Sequence, residues 1–187
     1  MKRLLQAPTT TSHKTHRITC GRDKSLTHRA IMFASLAQGT SEIHHPLLGA
    51  DCLSSISCFE ALGVKIDVKS GAEERVDVVS KGYAHFRQPT RDLDCGNSGT
   101  TARLILGILA AQKGLQFRLI GDESLSKRPM KRVVHPLRRM GAVIDGNDDG
   151  NFLPLTIRGQ TLKPASHQVD KSSAQVKSSL LLAGMFC

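Results

Sequence analysis

At 187 residues, with 40% hydrophobic and 22% charged side chains, the chain has the make-up of a folded domain and not of a disordered segment. Its longest apolar runs, such as Leu104 to Ala111, fall far short of the roughly 20 residues of a membrane span, and no apolar stretch follows the cations of Met1 to Leu5, so neither a membrane anchor nor a signal peptide is expected. The formal net charge of +10 invites a nucleic-acid partner, but the cations are dispersed and stacking platforms are scarce, with no Trp and one Tyr; small anionic substrates account for the same charge.

The chain repeats itself. Ile18 to Gly39 and Leu93 to Gly114 both read as a short strand ending in Cys-Gly (Cys20-Gly21, Cys95-Gly96), a polar turn and a helix. Arg29 in the first helix, Arg103 in the second and Lys177 in a third helical pattern, Ala174 to Phe186, recur at one interval of 74 residues. Further along each copy, Ala61 to Asp67 answers Arg139 to Asp145, a helix closing on Gly63 or Gly141 and followed by a strand. Asp51 is the expected N-cap of the helix through Leu53, Ile56 and Leu62. Val76 to Val79 and Leu155 to Ile157 supply the strands that end the copies. Each unit is therefore expected to be β-α-β-α-β-β over roughly 70 to 75 residues, giving an α/β fold. A third unit has a first strand near His167 to Asp170, then its helix, and there the sequence stops, which reads as a fragment.

The three helix starts share a chemical logic. Asp23-Lys24-Ser25, Asn97-Ser98-Gly99-Thr100-Thr101 and Ser172-Ser173-Ala174-Gln175 each set small or hydroxyl residues ahead of a cation: Arg29, Arg103, Lys177. Backbone N–H groups and the helix dipole favour an anion at such starts. Any one of them is equally an ordinary N-cap; three in register point to a polyanionic ligand shared between units. A second cationic stretch runs from Ser126 to Arg132 and on to Arg138-Arg139; Pro129 suits a helix start, Pro136 should kink or restart that helix, and Arg128 just ahead could grip a carboxylate or phosphate bidentately. The spacing is not that of a P-loop, and the adjacent His44-His45 pair is no metal site. His28 is expected to hold a surface or hydrogen-bonding place. The cysteines, Cys20, Cys52, Cys58, Cys95 and Cys187, are odd in number and lack metal-ligand spacing, which fits a reduced, cytoplasmic protein.

Taken together, Asp23-Lys24-Ser25 with His28-Arg29, Gly96 to Thr100 with Arg103, Gly121-Asp122 with Arg128-Pro129-Met130, and Ser173-Ala174-Gln175 resemble, in order and spacing, the signatures of the 5-enolpyruvylshikimate-3-phosphate (EPSP) synthases. The Asn-Ser-Gly-Thr form and the Ser-Ala-Gln triplet are similar to the glyphosate-tolerant branch. The sibling UDP-N-acetylglucosamine enolpyruvyl transferases have Lys-Asn where this chain has Lys24-Ser25, and usually a Cys in the loop matching Gly121 to Arg128, where this chain has none.

The resemblance implies transfer of the enolpyruvyl group of phosphoenolpyruvate to the 5-hydroxyl of shikimate 3-phosphate, without a cofactor. It implies that Lys24 bridges both ligands and stabilises or protonates the reacting phosphoenolpyruvate. Shikimate 3-phosphate is expected at Lys24, Ser25, Arg29, Ser173, Ala174 and Gln175, and phosphoenolpyruvate at Lys24, Asn97, Gly99, Arg128 and Gln175. Residues 1–19 would belong with a crossover to a second domain absent from this chain, and 20–187 would form the first domain, with units at about 20–85 and 90–160 and a shortened third at about 165–187. The partners implied are the two substrates, glyphosate as an inhibitor and a C-terminal half of the same enzyme, which would cover Leu180, Leu181, Leu182 and Phe186; neither nucleic acid nor membrane is among them. One departure stands out: Gly21-Arg22 replaces the family's Pro-Gly, putting a guanidinium where it could tighten anion binding or alter a hinge. The reading of another class is a non-catalytic module binding anions or nucleic acid.

Overall fold

The computed structural model describes residues 21–71, 74–168 and 173–187. The first unit runs α1 (Lys24–Leu36), β1 (Gln38–His44), α2 (Ala50–Ala61), β2 (Lys65–Lys69) and β3 (Arg75–Lys81). The second runs β4 (Leu93–Asp94), α3 (Gly99–Ala110), β5 (Gln116–Ile120), the short α4 (Glu123–Ser126), α5 (Lys131–Arg139), β6 (Val143–Gly146), a single turn α6 (Asn147–Gly150) and β7 (Phe152–Arg158). A last helix, α7 (Ala174–Gly184), follows.

The two units have one topology. Their sheets are ordered β1-β3-β2 and β4-β5-β7-β6, so β1, β3 and β2 correspond to β5, β7 and β6, with antiparallel pairing throughout those six strands. β4 pairs parallel to β5; its counterpart, expected at Ile18 to Cys20, lies outside the described residues. The turns that join helix to strand match atom for atom. Gly63 (φ +92°) and Gly141 (φ +98°) take the left-handed conformation that L side chains resist. Val64 N–H then reaches back to Phe59 O, and Ala142 N–H to Leu137 O, in the same closing pattern.

The core follows from periodicity. Val76, Val78 and Ser80 on β3, and Leu153, Leu155 and Ile157 on β7, alternate inward at period two. Beyond its polar first turns α3 is apolar on every side, and Leu104, Ile105, Leu106, Ile108 and Leu109 are fully buried, as expected of a helix enclosed by its neighbours. α7 lies against α3 at Gly107, where an added Cβ would sit 2.1 Å from the Ser179 carbonyl oxygen. Gly107→Ala should therefore cost about 1–3 kcal/mol despite the better helix propensity of Ala. Urea unfolding measures this, and an unchanged midpoint would mean that the two helices do not meet there.

Several sequence expectations are corrected. Gly49, not Asp51, caps α2, because its carbonyl accepts the N–H groups of Cys52 and Leu53 and starts the helix earlier. Pro129 precedes α5 instead of opening it, with Met130 at the cap, and Pro136 sits within the helix. His167 and Gln168 form no strand; the rest of that expected strand falls on residues 169–172, outside the described residues. α7 ends at Gly184, two residues short of Phe186. Its Leu180 and Leu182 are already buried, and Phe186 stacks on Tyr83 with ring centroids 3.5 Å apart, leaving Leu181 and Met185 as the exposed apolar side chains of this helix end. Among the described residues no helix is long and apolar enough to cross a membrane. Cys52, Cys58 and Cys95 are buried and free, as their apolar surroundings imply.

Candidate functional site

Four helix starts are closed by short side chains. Asp23 accepts the Leu26 N–H at 2.7 Å, Ser98 the Thr101 N–H at 3.1 Å, Asp122 the Leu125 N–H at 2.7 Å and Ser173 the Val176 N–H at 3.4 Å. Ordinary capping and ligand binding are thus not rivals here. The cap takes one N–H from each first turn and leaves Lys24, Ser25, Gly99, Thr100, Ala174 and Gln175 at the helix openings.

Side chains tie these openings together. Lys24 Nζ donates to Asp51 Oδ2 at 2.8 Å, joining α1 to α2. Thr101 Oγ1 donates to the Asp51 carbonyl at 3.2 Å, joining α3 to α2. Gln175 donates through Nε2 to Thr100 Oγ1 and accepts from Arg103 Nη1, each at 3.0 Å, so α7 meets the opening of α3. Arg29 donates to the Ser25 carbonyl at 3.1 Å and to Ser178 Oγ at 3.0 Å, bringing α1 to α7. Arg128 donates to Asn97 Oδ1 at 2.6 Å and to Ser124 Oγ at 3.2 Å, while Asn97 Nδ2 donates to Asp122 Oδ2 at 2.7 Å. Gly99 stands beside both guanidinium groups: a Cβ there would lie 2.6 Å from Arg103 Nη1 and 3.6 Å from Arg128 Nη1. Lys24, Ser25, Arg29, Asn97, Gly99, Arg128, Ser173, Ala174 and Gln175 therefore belong to one connected set of helix openings.

The electrostatics of this set are unbalanced. Arg29, Arg103 and Arg128 spend their hydrogen bonds on carbonyl, amide and hydroxyl oxygens instead of carboxylates. Burial lowers the pKa of Arg103, and the neighbouring charges of Arg128 and Arg132 add to the fall, so this guanidinium is partly desolvated with other cations beside it. The hydrogen bond and charge of Asp51 raise the pKa of Lys24, outweighing desolvation and the charge of Arg128, which lower it. Lys24 is thus an ammonium throughout neutral pH, suited to stabilising negative charge and not to accepting a proton. Asp122 is held below the usual carboxylate range by the Leu125 N–H first and Asn97 second, so it stays an anion that orients Asn97. An anionic ligand would relieve the crowding of the cations.

Two expected cations fall elsewhere. Lys177 does not join the openings; it lines an apolar groove of about 840 Å³ with Met140, Pro164, His167, Leu180 and Leu181. Arg22 pairs with Glu74 and lies 3.5 Å from the Pro46 carbonyl, so its guanidinium is already engaged at the edge of the first sheet. Asp51 belongs to the site, although the sequence reading took it only for the cap of α2. An acid in a helix's first turn reads as a dipole partner, and nothing local marks Asp51 as the counter-ion of Lys24. Among the described residues no group of three or more His, Cys, Asp or Glu could hold a metal ion.

Known proteins are similar to this chain in sequence and fold. The family model for EPSP synthase (3-phosphoshikimate 1-carboxyvinyltransferase) matches residues 9–187. A 3-phosphoshikimate 1-carboxyvinyltransferase from Geobacillus thermodenitrificans is 52% identical over 182 residues, covering 97% of this chain and 41% of that protein. One from Bacillus anthracis is 54% identical over 168 residues, covering 90% and 38%. The solved structure of EPSP synthase from Acinetobacter baumannii superposes with a TM-score of 0.85 at 40% identity, over 90% of this chain and 38% of that one. The chain thus spans about two fifths of the length of these relatives. With the family model matching nearly all of it, this chain belongs to the EPSP synthase family.

Proposed function

We propose that this chain supplies the N-terminal part of a 3-phosphoshikimate 1-carboxyvinyltransferase and carries most of its shikimate 3-phosphate site. The complete enzyme transfers the enolpyruvyl group of phosphoenolpyruvate to the 5-hydroxyl of shikimate 3-phosphate and releases phosphate, in the cytoplasm and without a cofactor. The observation that carries this reading is the joining of the openings of α1, α3 and α7 around guanidinium groups whose hydrogen bonds, among the described residues, go to carbonyl, amide and hydroxyl oxygens.

Ser173, Ala174 and Gln175 take the 3-phosphate and ring hydroxyls, and Ser25 with Arg29 takes the ring and its carboxylate. Asn97, Gly99 and Arg128 face phosphoenolpyruvate, and Arg128, preset by Asn97, offers a fork suited to its phosphate or carboxylate. Lys24 lies between the two and stabilises charge on the reacting phosphoenolpyruvate. Two polyanions repel, and fixed cations in a closed site offset that repulsion. Closure needs the C-terminal half of the enzyme. Glyphosate would compete on the phosphoenolpyruvate side, and the Asn97 to Thr100 form supports a tolerant enzyme.

Calorimetry of shikimate 3-phosphate with this chain, beside a salt titration of oligonucleotide binding, tests the reading. Saturable binding of shikimate 3-phosphate that Gln175→Ala weakens roughly tenfold is expected, an effect in the range of a hydrogen bond to a charged group. Oligonucleotide binding with a steep salt slope and no response to shikimate 3-phosphate would favour the nucleic-acid module instead.

A further inference from the structure

Beneath the helix openings lies a row of polar side chains with no access to solvent. His28, Ser55, Ser98 and Thr101 are 0% exposed. His28 Nδ1 stands 2.8 Å from Ser55 Oγ, and Ser55 Oγ stands 2.8 Å from Thr101 Oγ1. Thr101 Oγ1 in turn reaches the Asp51 carbonyl at 3.2 Å and Ser98 Oγ at 2.8 Å. The row joins α1, α2 and α3 where Lys24, Asp51 and the Asn97 turn are set.

Proton counting gives the row a direction. Thr101 has one hydroxyl proton, and its acceptors are the Asp51 carbonyl and Ser98 Oγ. Ser55 must then donate to Thr101, and His28 must donate to Ser55 from Nδ1. Among the described residues, His28 Nε2 is buried and has no hydrogen-bond partner. In this tautomer Nε2 is a bare lone pair; the reverse direction would leave it an orphaned N–H, the rarer and costlier state, and the Asp51 carbonyl would lose its Thr101 donor. The charges nearest the ring are Lys24 and Arg29 from α1 and Asp51 from α2, and burial is the largest influence keeping the ring neutral.

We infer that His28 is a positioning residue: as the Nδ1–H tautomer it heads a one-way relay through Ser55 and Thr101 to the Asp51 carbonyl, fixing the α2 opening whose carboxylate holds the Lys24 ammonium. Its relevance to turnover rests on the transferase reading above, but the relay itself can be examined without any ligand. In the 187-residue chain, ¹⁵N NMR of the imidazoles at pH 7 should show His28 with Nδ1 protonated and Nε2 bare. ¹³Cε NMR should follow Lys24 titrating above the ordinary lysine value. In His28→Leu, which fills the space and removes the donor, the Lys24 midpoint should fall back towards that ordinary value; His28→Asn, which restores a donor near Nδ1, should recover it. If His28→Leu fails to fold, Ser55→Ala cuts the relay in its middle with the same expected fall. An Nε2–H tautomer or an imidazolium at pH 7 would overturn the relay. Unchanged Lys24 titration in a folded His28→Leu or Ser55→Ala chain would overturn the positioning role, and loss of shikimate 3-phosphate binding alone would bear only on the substrate reading.

Discussion

Lys24→Ala should lower the turnover of the assembled transferase by about 10²- to 10³-fold, the range found when one preorganised charge or donor is removed from a reacting centre. The clearest host for the test is a chimera in which this chain replaces the matched two fifths of the Geobacillus thermodenitrificans relative. The size of the effect follows from the surroundings of Lys24. Asp51 pairs with it at 2.8 Å and raises its pKa, so it is an ammonium at neutral pH, and it is the one cation assigned to both substrates. Removing it subtracts a charge where negative charge would shift in the transition state, and leaves the Asp51 carboxylate uncompensated, repelling the same ligands. kcat should fall more than KM rises, because Arg29, Arg128 and Gln175 still hold the ground state. Lys24→Arg should recover part of the rate by restoring the charge. Unchanged kcat in Lys24→Ala would remove Lys24 from the chemistry.

The fold was legible where the signal is local. Gly63 and Gly141 closing two helices, and the alternation of Val76 to Val79 and Leu155 to Ile157, fix repeating units through backbone geometry alone, and the two sheets have matching strand orders. The site residues were legible as types at helix openings. Their pairings were not. Lys24 meets Asp51, Arg128 meets Asn97 and Arg103 meets Gln175 across 27, 31 and 72 positions, and no local pattern encodes which cation takes which partner. The evenly spaced cation of the third helix misled for a related reason. A shared interval fixes a place along the helix, but the packing of α7 on α3 turns Lys177 towards Met140 and His167 instead. The run Leu180-Leu181-Leu182 likewise hides its own faces: at 3.6 residues per turn, the middle leucine of three points outward while its neighbours are buried.

The most direct measurement of the central claim is phosphate release from phosphoenolpyruvate and shikimate 3-phosphate, assayed with the 187-residue chain alone and with the chimera. The chain carries the openings of α1, α3 and α7 but only about two fifths of the length of its relatives. Its cation cluster would therefore face open water, where charges are screened and proton transfer to and from the substrates goes unassisted. Release at the uncatalysed rate is expected from the chain alone, rising by many orders of magnitude in the chimera, with mixed separate halves recovering part of that rate. Full turnover by the 187 residues alone would contradict the account. So would a folded chimera that binds shikimate 3-phosphate and releases no phosphate.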